Sequence, residues 1–329
     1  MIRLRRYVPI VAGAAVAVLL HCVLAATSST YYMTQLTMSA YYALVVVGLC
    51  LLMGYAGQVS LGHAGFFAIG GYTAAVLTVR LAVSPWLAFL TALLLAALAA
   101  GLIGLPVIRL KGHYLAMATL GFGLIVYRIV LGTPLFGQAD GIYNVPPMHL
   151  IGGLEVDDRE ELRIQNYYIA WVVVSVAMVL AVNLVRSRVG RSLLAIHQSE
   201  EAAESLGVNT YRSKLSVFVL SAVFAAAGGA LLTYYHGSIG PGEATVMKSV
   251  RYVAIVAVGG MANLWGALAM GILLNFLSLR GVFGTYDDMV FGATLIAIMI
   301  FAPSGLLRLA PLQAAASSLY RRWHGRGPA

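Results

Sequence analysis

Long apolar stretches alternate with short polar ones along nearly the whole chain. A helix that crosses the ~30 Å hydrocarbon core of a bilayer needs roughly 20 residues at about 1.5 Å per residue. Stretches of that size stand at 7–26, 33–53, 61–79, 86–105, 113–131, 167–185 and 215–235. Arg3, Arg5 and Arg6 precede the first one, as in a secretory signal, but its apolar run exceeds the usual length of roughly 7 to 15 residues. It reads as a retained membrane anchor.

Beyond residue 236 the pattern alone does not settle the spans. The run 252–279 is too long for one helix and is interrupted by Gly259, Gly260, Asn263 and Gly266. Charge decides, because lysine and arginine gather on the cytoplasmic side of membrane proteins. Both ends of the chain carry them, as Arg3, Arg5 and Arg6 and as Arg308, Arg321, Arg322 and Arg326. Two cytoplasmic ends require an even number of crossings, so the chain is expected to turn near Ala262 and Asn263. That gives spans at about 245–261 and 264–279 and a last one at 287–303. The expected fold is an all-α, polytopic integral membrane protein with a single transmembrane domain over 1–329. It has about ten helices, some broken by glycine, and cytoplasmic N- and C-termini.

Composition agrees. Hydrophobic residues make up 60% of the chain and charged residues 10%, against about 25% charged in soluble chains. Disorder, a disulfide scaffold and a nucleic-acid-binding domain are excluded on that ground, and the lipid bilayer is the solvent. In the expected arrangement most of the 21 lysines and arginines lie inside, including Arg109, Lys111, Arg186, Arg188, Arg191, Arg212 and Lys214. Asp140, Glu155, Asp157, Asp158, Glu160, Glu161, Glu243, Asp287 and Asp288 face outward or mark the outer edge. The net charge of +9 is therefore the imprint of topology, with no nucleic acid as partner. Cys22 and Cys50 lie in apolar runs without a second thiol or histidine at ligand spacing, so they read as small buried hydrophobes. No metal, cofactor or catalytic residue is expected. A phosphate-cradling GxxxxGK[ST] run is missing from the sequence, so any ATP hydrolysis must come from another chain.

Polar and glycine residues cluster in two apolar neighbourhoods, GYAGQVSLGHAGFFAIGG at 54–71 and GGMANLWGALAMG at 259–271. Broken helices at membrane depth survive only against protein or a water-filled cavity, and matching breaks in two halves of a transporter point to the path. Glycines also simply let helices approach closely, and both readings stand. The residues assigned to a translocation path are Gly54, Gly57, Gln58, Ser60, Gly62, Thr119, Gly259, Gly260, Asn263 and Trp265. His63 and His113 read as interfacial, and Arg128 as reaching the outer headgroups. None of the expected spans has an acid near its middle, which weighs against an ion-driven carrier. The outer loop 132–166 is long and acidic, either a docking surface or solvated filler.

The loop 186–214 is the only sizeable polar segment expected on the cytoplasmic side. From Ser199 it reads as a short helix, with Glu200, Glu201 and Glu204 favouring the dipole at its start and Gly207 at a left-handed C-terminal cap. Ala202, Ala203 and Leu206 are expected to form one small apolar face, suited to a partner's groove or to nothing in particular.

The run Glu201-Ala202-Ala203 followed by Gly207 resembles the EAA…G signature of prokaryotic ABC-importer permeases. Together with GYAGQVSLGHAGFFAIGGYTAAVL and VGGMANLWGALAMG, it makes the chain similar to the branched-chain amino acid permease family, M-type subunit, from about residue 38 to 307. The Ile-x-Leu-Pro that often follows the glycine is missing here, and FGQADGI stands where relatives tend to show two adjacent glycines before Asp140 and Gly141. The resemblance implies an ATP-driven importer of leucine, isoleucine or valine in the bacterial inner membrane. It also implies two cytoplasmic ATP-binding subunits, a homologous second permease subunit and a periplasmic solute-binding protein as partners. Glu200, Glu201, Ala202, Ala203, Leu206 and Gly207 would then couple the chain to an ATPase. Related importers carry urea, short amides or aromatic acids, and an ion-coupled secondary carrier is the rival class.

Overall fold

The computed structural model describes residues 31–110, 112–150, 153–281, 284–286, 289–290, 292–293 and 296–297. The expected first span and most of the last lie outside them. The described helices run, in chain order, α1 (Tyr31–Cys50), α2 (His63–Val79), α3 (Pro85–Val107), α4 (His113–Gly132), α5 (Arg163–Arg186), α6 (Arg188–Gln198), α7 (Glu200–Ser205), α8 (Thr210–His236), α9 (Val246–Gly259) and α10 (Leu264–Leu279).

α1 is buried on nearly every side, its few polar residues Gln35, Thr37 and Ser39 included, which places it at the centre of the bundle. α5, α8, α9 and α10 pack around it, and α2 and α3 pack on α8. α3 shows how sequence sets its orientation. Pro85 occupies its first turn after Ser84, where a missing N–H costs nothing. Ala88, Ala92, Ala96, Ala100 and Gly104 form a buried stripe four residues apart, while Leu87, Leu94 and Leu102 on the other side are 60%, 59% and 70% exposed. Small residues bring backbones close and the leucines face lipid. α5 repeats the arrangement with Ala170, Ala177 and Ala181 inward and Val172, Val176 and Leu180 outward.

Among the described residues, five segments are long and apolar enough to cross a membrane: 32–55, α3, α4, 160–186 and α8. α2 has 17 residues, α10 has 16 and α9 only 14, all under the roughly 20 of a full crossing. α8 begins at Thr210 rather than near 215, so the loop before it is shorter than expected. The chain does turn at 260–263, through Gly260 at φ +97° and the N-cap Asn263, whose Oδ1 accepts from Gly266 N at 3.1 Å.

The all-α expectation needs one amendment. Among the described residues, four two-residue strands occur at one end of the bundle: β1 (Ile142–Tyr143), β2 (Met148–His149), β3 (Glu155–Val156) and β4 (Ser238–Ile239). β1 pairs with β4 and β2 with β3, both antiparallel. The loop 132–166 is thus folded onto the bundle rather than loose. Trp86 Nε1 donates to His149 O at 2.8 Å, and the buried Asn166 closes the acidic stretch by donating to Asp157 O at 2.8 Å and Leu162 O at 3.0 Å. Arg159 ion-pairs with Glu155 and Asp157, and the hydrogen bond it donates to the Asp157 carboxylate holds its guanidinium pKa above the usual value.

Candidate functional site

The segment 187–214 lies at the opposite end. Ser187 caps α6 by accepting from Gly190 N, and Ser199 caps α7 by accepting from Ala202 N at 3.3 Å. α7 stops in a full Schellman closure: Val208 N donates to Ala203 O at 3.1 Å and Gly207 N to Glu204 O at 2.9 Å, with Gly207 at φ +79°. The left-handed cap at Gly207 stands as expected. The single apolar face does not. Ala203 is 1% exposed and packs inward, whereas Ala202 is exposed and Leu206 is 82% exposed, because neighbouring helical positions lie about 100° apart.

Two polar ties hold this helix to the bundle. Lys214 Nζ meets Glu200 Oε1 at 2.6 Å, with the lysine side chain 11% exposed, and Thr210 Oγ1 donates to Glu204 Oε1 at 2.6 Å. Both partners belong to α8. Glu201 remains exposed and enters no ion pair among the described residues. Tyr211 Oη donates to Leu105 O at 3.0 Å, tying the base of α8 to α3.

The two glycine-rich stretches meet at this same end. α1 passes through a π-helical turn at Leu51–Tyr55 before the irregular segment 57–62. Tyr55 Oη donates to Ala262 O at 3.0 Å and Cys50 Sγ to Met261 O at 3.3 Å. A Cβ on Gly54 would lie 1.4 Å from Met261 O, and one on Gly259 would lie 2.6 Å from Ala267 Cα. Close backbone contact therefore accounts for Gly54 and Gly259. Gly62 is alike, with Thr119 O at 2.4 Å from its added Cβ. Asn263 is accounted for by capping, and Trp265 is half-buried against the core.

Ser60 and Thr119 belong to a buried polar knot around the start of α2. His63, expected at the interface, is fully buried: its Nδ1 bonds Ser60 Oγ at 3.0 Å and its Nε2 bonds Ser221 Oγ of α8 at 2.7 Å. Leu61 N donates to Thr119 Oγ1 and Ala64 N to Ser249 Oγ, both at 3.0 Å. The first turn of α2 is thus held by α4, α8 and α9, and the imidazole pays its desolvation cost through two hydroxyls. Gln58 is 4% exposed, with Oε1 unpartnered. It lines a cleft of about 160 Å³ with Gly57, Leu115, His197, Glu200 and Lys214, which joins the broken segment to the α6–α7 corner.

A family model described as the permease component of the branched-chain amino acid transport system matches residues 31–299. The chain belongs to that family. LivM of Escherichia coli, a high-affinity branched-chain amino acid transport system permease protein, is 34% identical over 82% of this chain and 68% of its own length. LivH of Salmonella typhimurium, a second permease protein of that kind, is 25% identical over 84% of this chain and 96% of its own. A nucleoside ABC transporter permease, NupC of Lactococcus lactis, is 24% identical over 69% and 74%. No solved structure matches.

One feature of this permease lies outside the residues expected to form the path. Glu243, placed at the outer edge, reaches into the bundle from the short turn Pro241–Ala244, and Tyr42 Oη of α1 donates to its Oε1 at 2.9 Å. A half-buried carboxylate thus meets the bundle, supplied from outside the expected spans. Lys248 and Arg251, two cations in an expected crossing, were the available signal, since charges in such segments are kept for a partner or a purpose.

Proposed function

We propose that this permease is the M-type membrane subunit of an inner-membrane importer that moves leucine, isoleucine or valine and is driven by ATPases in trans. Membership of the family is the observation that carries the reading. In this assembly two cytoplasmic ATP-binding subunits, a second permease of the LivH kind and a periplasmic solute-binding protein complete the machine. About ten crossings put both termini and the segment 186–214 in the cytoplasm. The end rich in Arg109, Arg186, Arg188, Arg191, Arg212 and Lys214 faces inward, as the charge bias favours.

The short helix from Ser199 to Gly207 docks in a cleft of an ATPase, offering Glu201, Ala202 and the exposed Leu206. Closure of the ATPases on nucleotide pulls on α7. The ties Glu200–Lys214 and Glu204–Thr210 support transmission of that pull to α8. A second contact supports transmission to the broken segment: Gly57 runs so close to His197 of α6 that an added Cβ would lie 2.6 Å from Nδ1. The inner mouth of the route is assigned to the cleft beside Gln58 and Gly57, with the turn 259–263 as its neighbour.

The test is uptake of radiolabelled leucine into vesicles that hold the complete assembly. Uptake is expected to need ATP and the solute-binding protein, and Glu201→Lys is expected to abolish it while leaving leucine capture by the binding protein unchanged. Uptake driven by an ion gradient without ATPases would overturn the reading in favour of a secondary carrier. ATP-driven uptake of nucleosides and not of leucine would move the substrate to that of NupC.

A further inference from the structure

Glu243 sits at the centre of an arrangement that bundle packing alone leaves incomplete. Its Oε1 accepts from Tyr42 Oη at 2.9 Å and meets Lys248 Nζ at 3.1 Å. Lys248 also donates to Tyr42 Oη at 3.2 Å, with its ammonium 4.6 Å from the centre of that ring. The second carboxylate oxygen, Oε2, is buried and has no hydrogen-bond partner. Tyr72 belongs to α2, which packs on the Pro241–Ala244 turn that carries Glu243, and the ring of Tyr252 of α9 stands 6.4 Å from that of Tyr42. Tyr72 and Tyr252 are 2% and 0% exposed, and neither hydroxyl has a partner.

Buried oxygens without partners are uncommon in folded proteins because each forfeits its hydration. Three occur here, one on the ion pair itself and two on tyrosines of helices packed beside it. Tyr42 stands eleven positions into α1, about 16 Å along its axis, and the ion pair beside it stays partly open, its Lys248 and Glu243 side chains 27% and 22% exposed. Beside the charges, the rings of Tyr42 and Phe67 stack at 5.5 Å and Tyr252 closes on both at 6.4 Å, making an apolar wall.

We propose that Glu243, Lys248, Tyr42, Tyr72 and Tyr252 form a substrate subsite that receives the charged end of a zwitterionic amino acid on its way through the bundle. The substrate ammonium takes the free Glu243 Oε2. Its carboxylate shares the Lys248 ammonium and accepts from the Tyr72 and Tyr252 hydroxyls, while an aliphatic side chain lies on the aromatic wall. The site holds both charges of the substrate with a matched pair of its own. Entry therefore adds no net charge to the membrane interior, where an uncompensated charge is expensive. The inference rests on the import reading above and adds a place on the route that the glycine breaks did not mark.

The experiment uses the complete assembly in vesicles, with leucine uptake and ATP hydrolysis measured on the same preparation. Tyr72→Phe and Tyr252→Phe each remove one oxygen and preserve the packing, and Glu243→Gln and Glu243→Asp separate charge from shape. Glu243→Gln is expected to lower uptake about tenfold or more while hydrolysis stays within about twofold, in keeping with loss of a charged hydrogen bond. The two phenylalanine variants are expected to lose uptake severalfold and Glu243→Asp to recover part of it. Wild-type uptake in all four variants, or a joint fall of uptake, hydrolysis and assembled yield in the phenylalanine variants, would overturn the subsite. If the unaltered chain itself moves no leucine with ATP, the import reading fails instead.

Discussion

A single methyl group separates two kinds of glycine in this chain. Gly207 has φ +79° and nothing within 4 Å of an added Cβ, so alanine there meets only backbone strain. Gly54 has no such backbone demand, yet its Cβ would fall 1.4 Å from Met261 O. Gly207→Ala is expected to cost about 1 kcal/mol, local to the α7 cap. Gly54→Ala is expected to cost about 3 kcal/mol or more, because two backbones must part. Thermal unfolding of the two purified variants in detergent would check the order, and equal midpoints would contradict it. Gly57 combines both conditions, with φ +67° and His197 against it.

Among the elements, α7 is too short to hold its shape unaided, since a six-residue helix closes few backbone bonds of its own. Caps at both ends and the two side-chain ties to α8 supply what length does not. Lys214→Glu should therefore break coupling by setting two carboxylates against each other, and the double exchange Glu200→Lys with Lys214→Glu should restore much of it. The measure is leucine moved per ATP hydrolysed, expected to fall severalfold in the single variant. No recovery in the double variant would mean that the pair does not carry the motion. The face α7 presents could not be read from its sequence, because Ala202 and Ala203 differ only in which one the bundle covers.

On the scale of the whole molecule, the bundle has two chemically distinct ends. One gathers arginines around α6 and α7, and the other gathers acids in a loop folded over α8 by β1 pairing with β4. Tyr143 in β1 is 61% exposed and Leu206 after α7 is 82% exposed, so both suit surface labelling. A membrane-impermeant maleimide on intact cells is expected to label Tyr143→Cys above the background of the native cysteines and to leave Leu206→Cys unlabelled until the membrane is opened. The reverse pattern would invert the proposed topology and remove α7 from reach of any cytoplasmic ATPase.

Signals that act over a few residues were legible in the sequence itself. Apolar length gave the long helices 32–55, α3, α4, 160–186 and α8, Ser199 and Gly207 the limits of a short helix, and the break at 259–263 a turn, because helix length, capping and left-handed backbone are decided locally. Tertiary structure alone decided what those pieces meet. It set Gly54 against Met261, buried His63 between Ser60 and Ser221, turned Ala203 inward and drew Glu243 to Tyr42 of α1. Such meetings depend on how separate helices pack in space, and no spacing along one chain encodes which faces will touch.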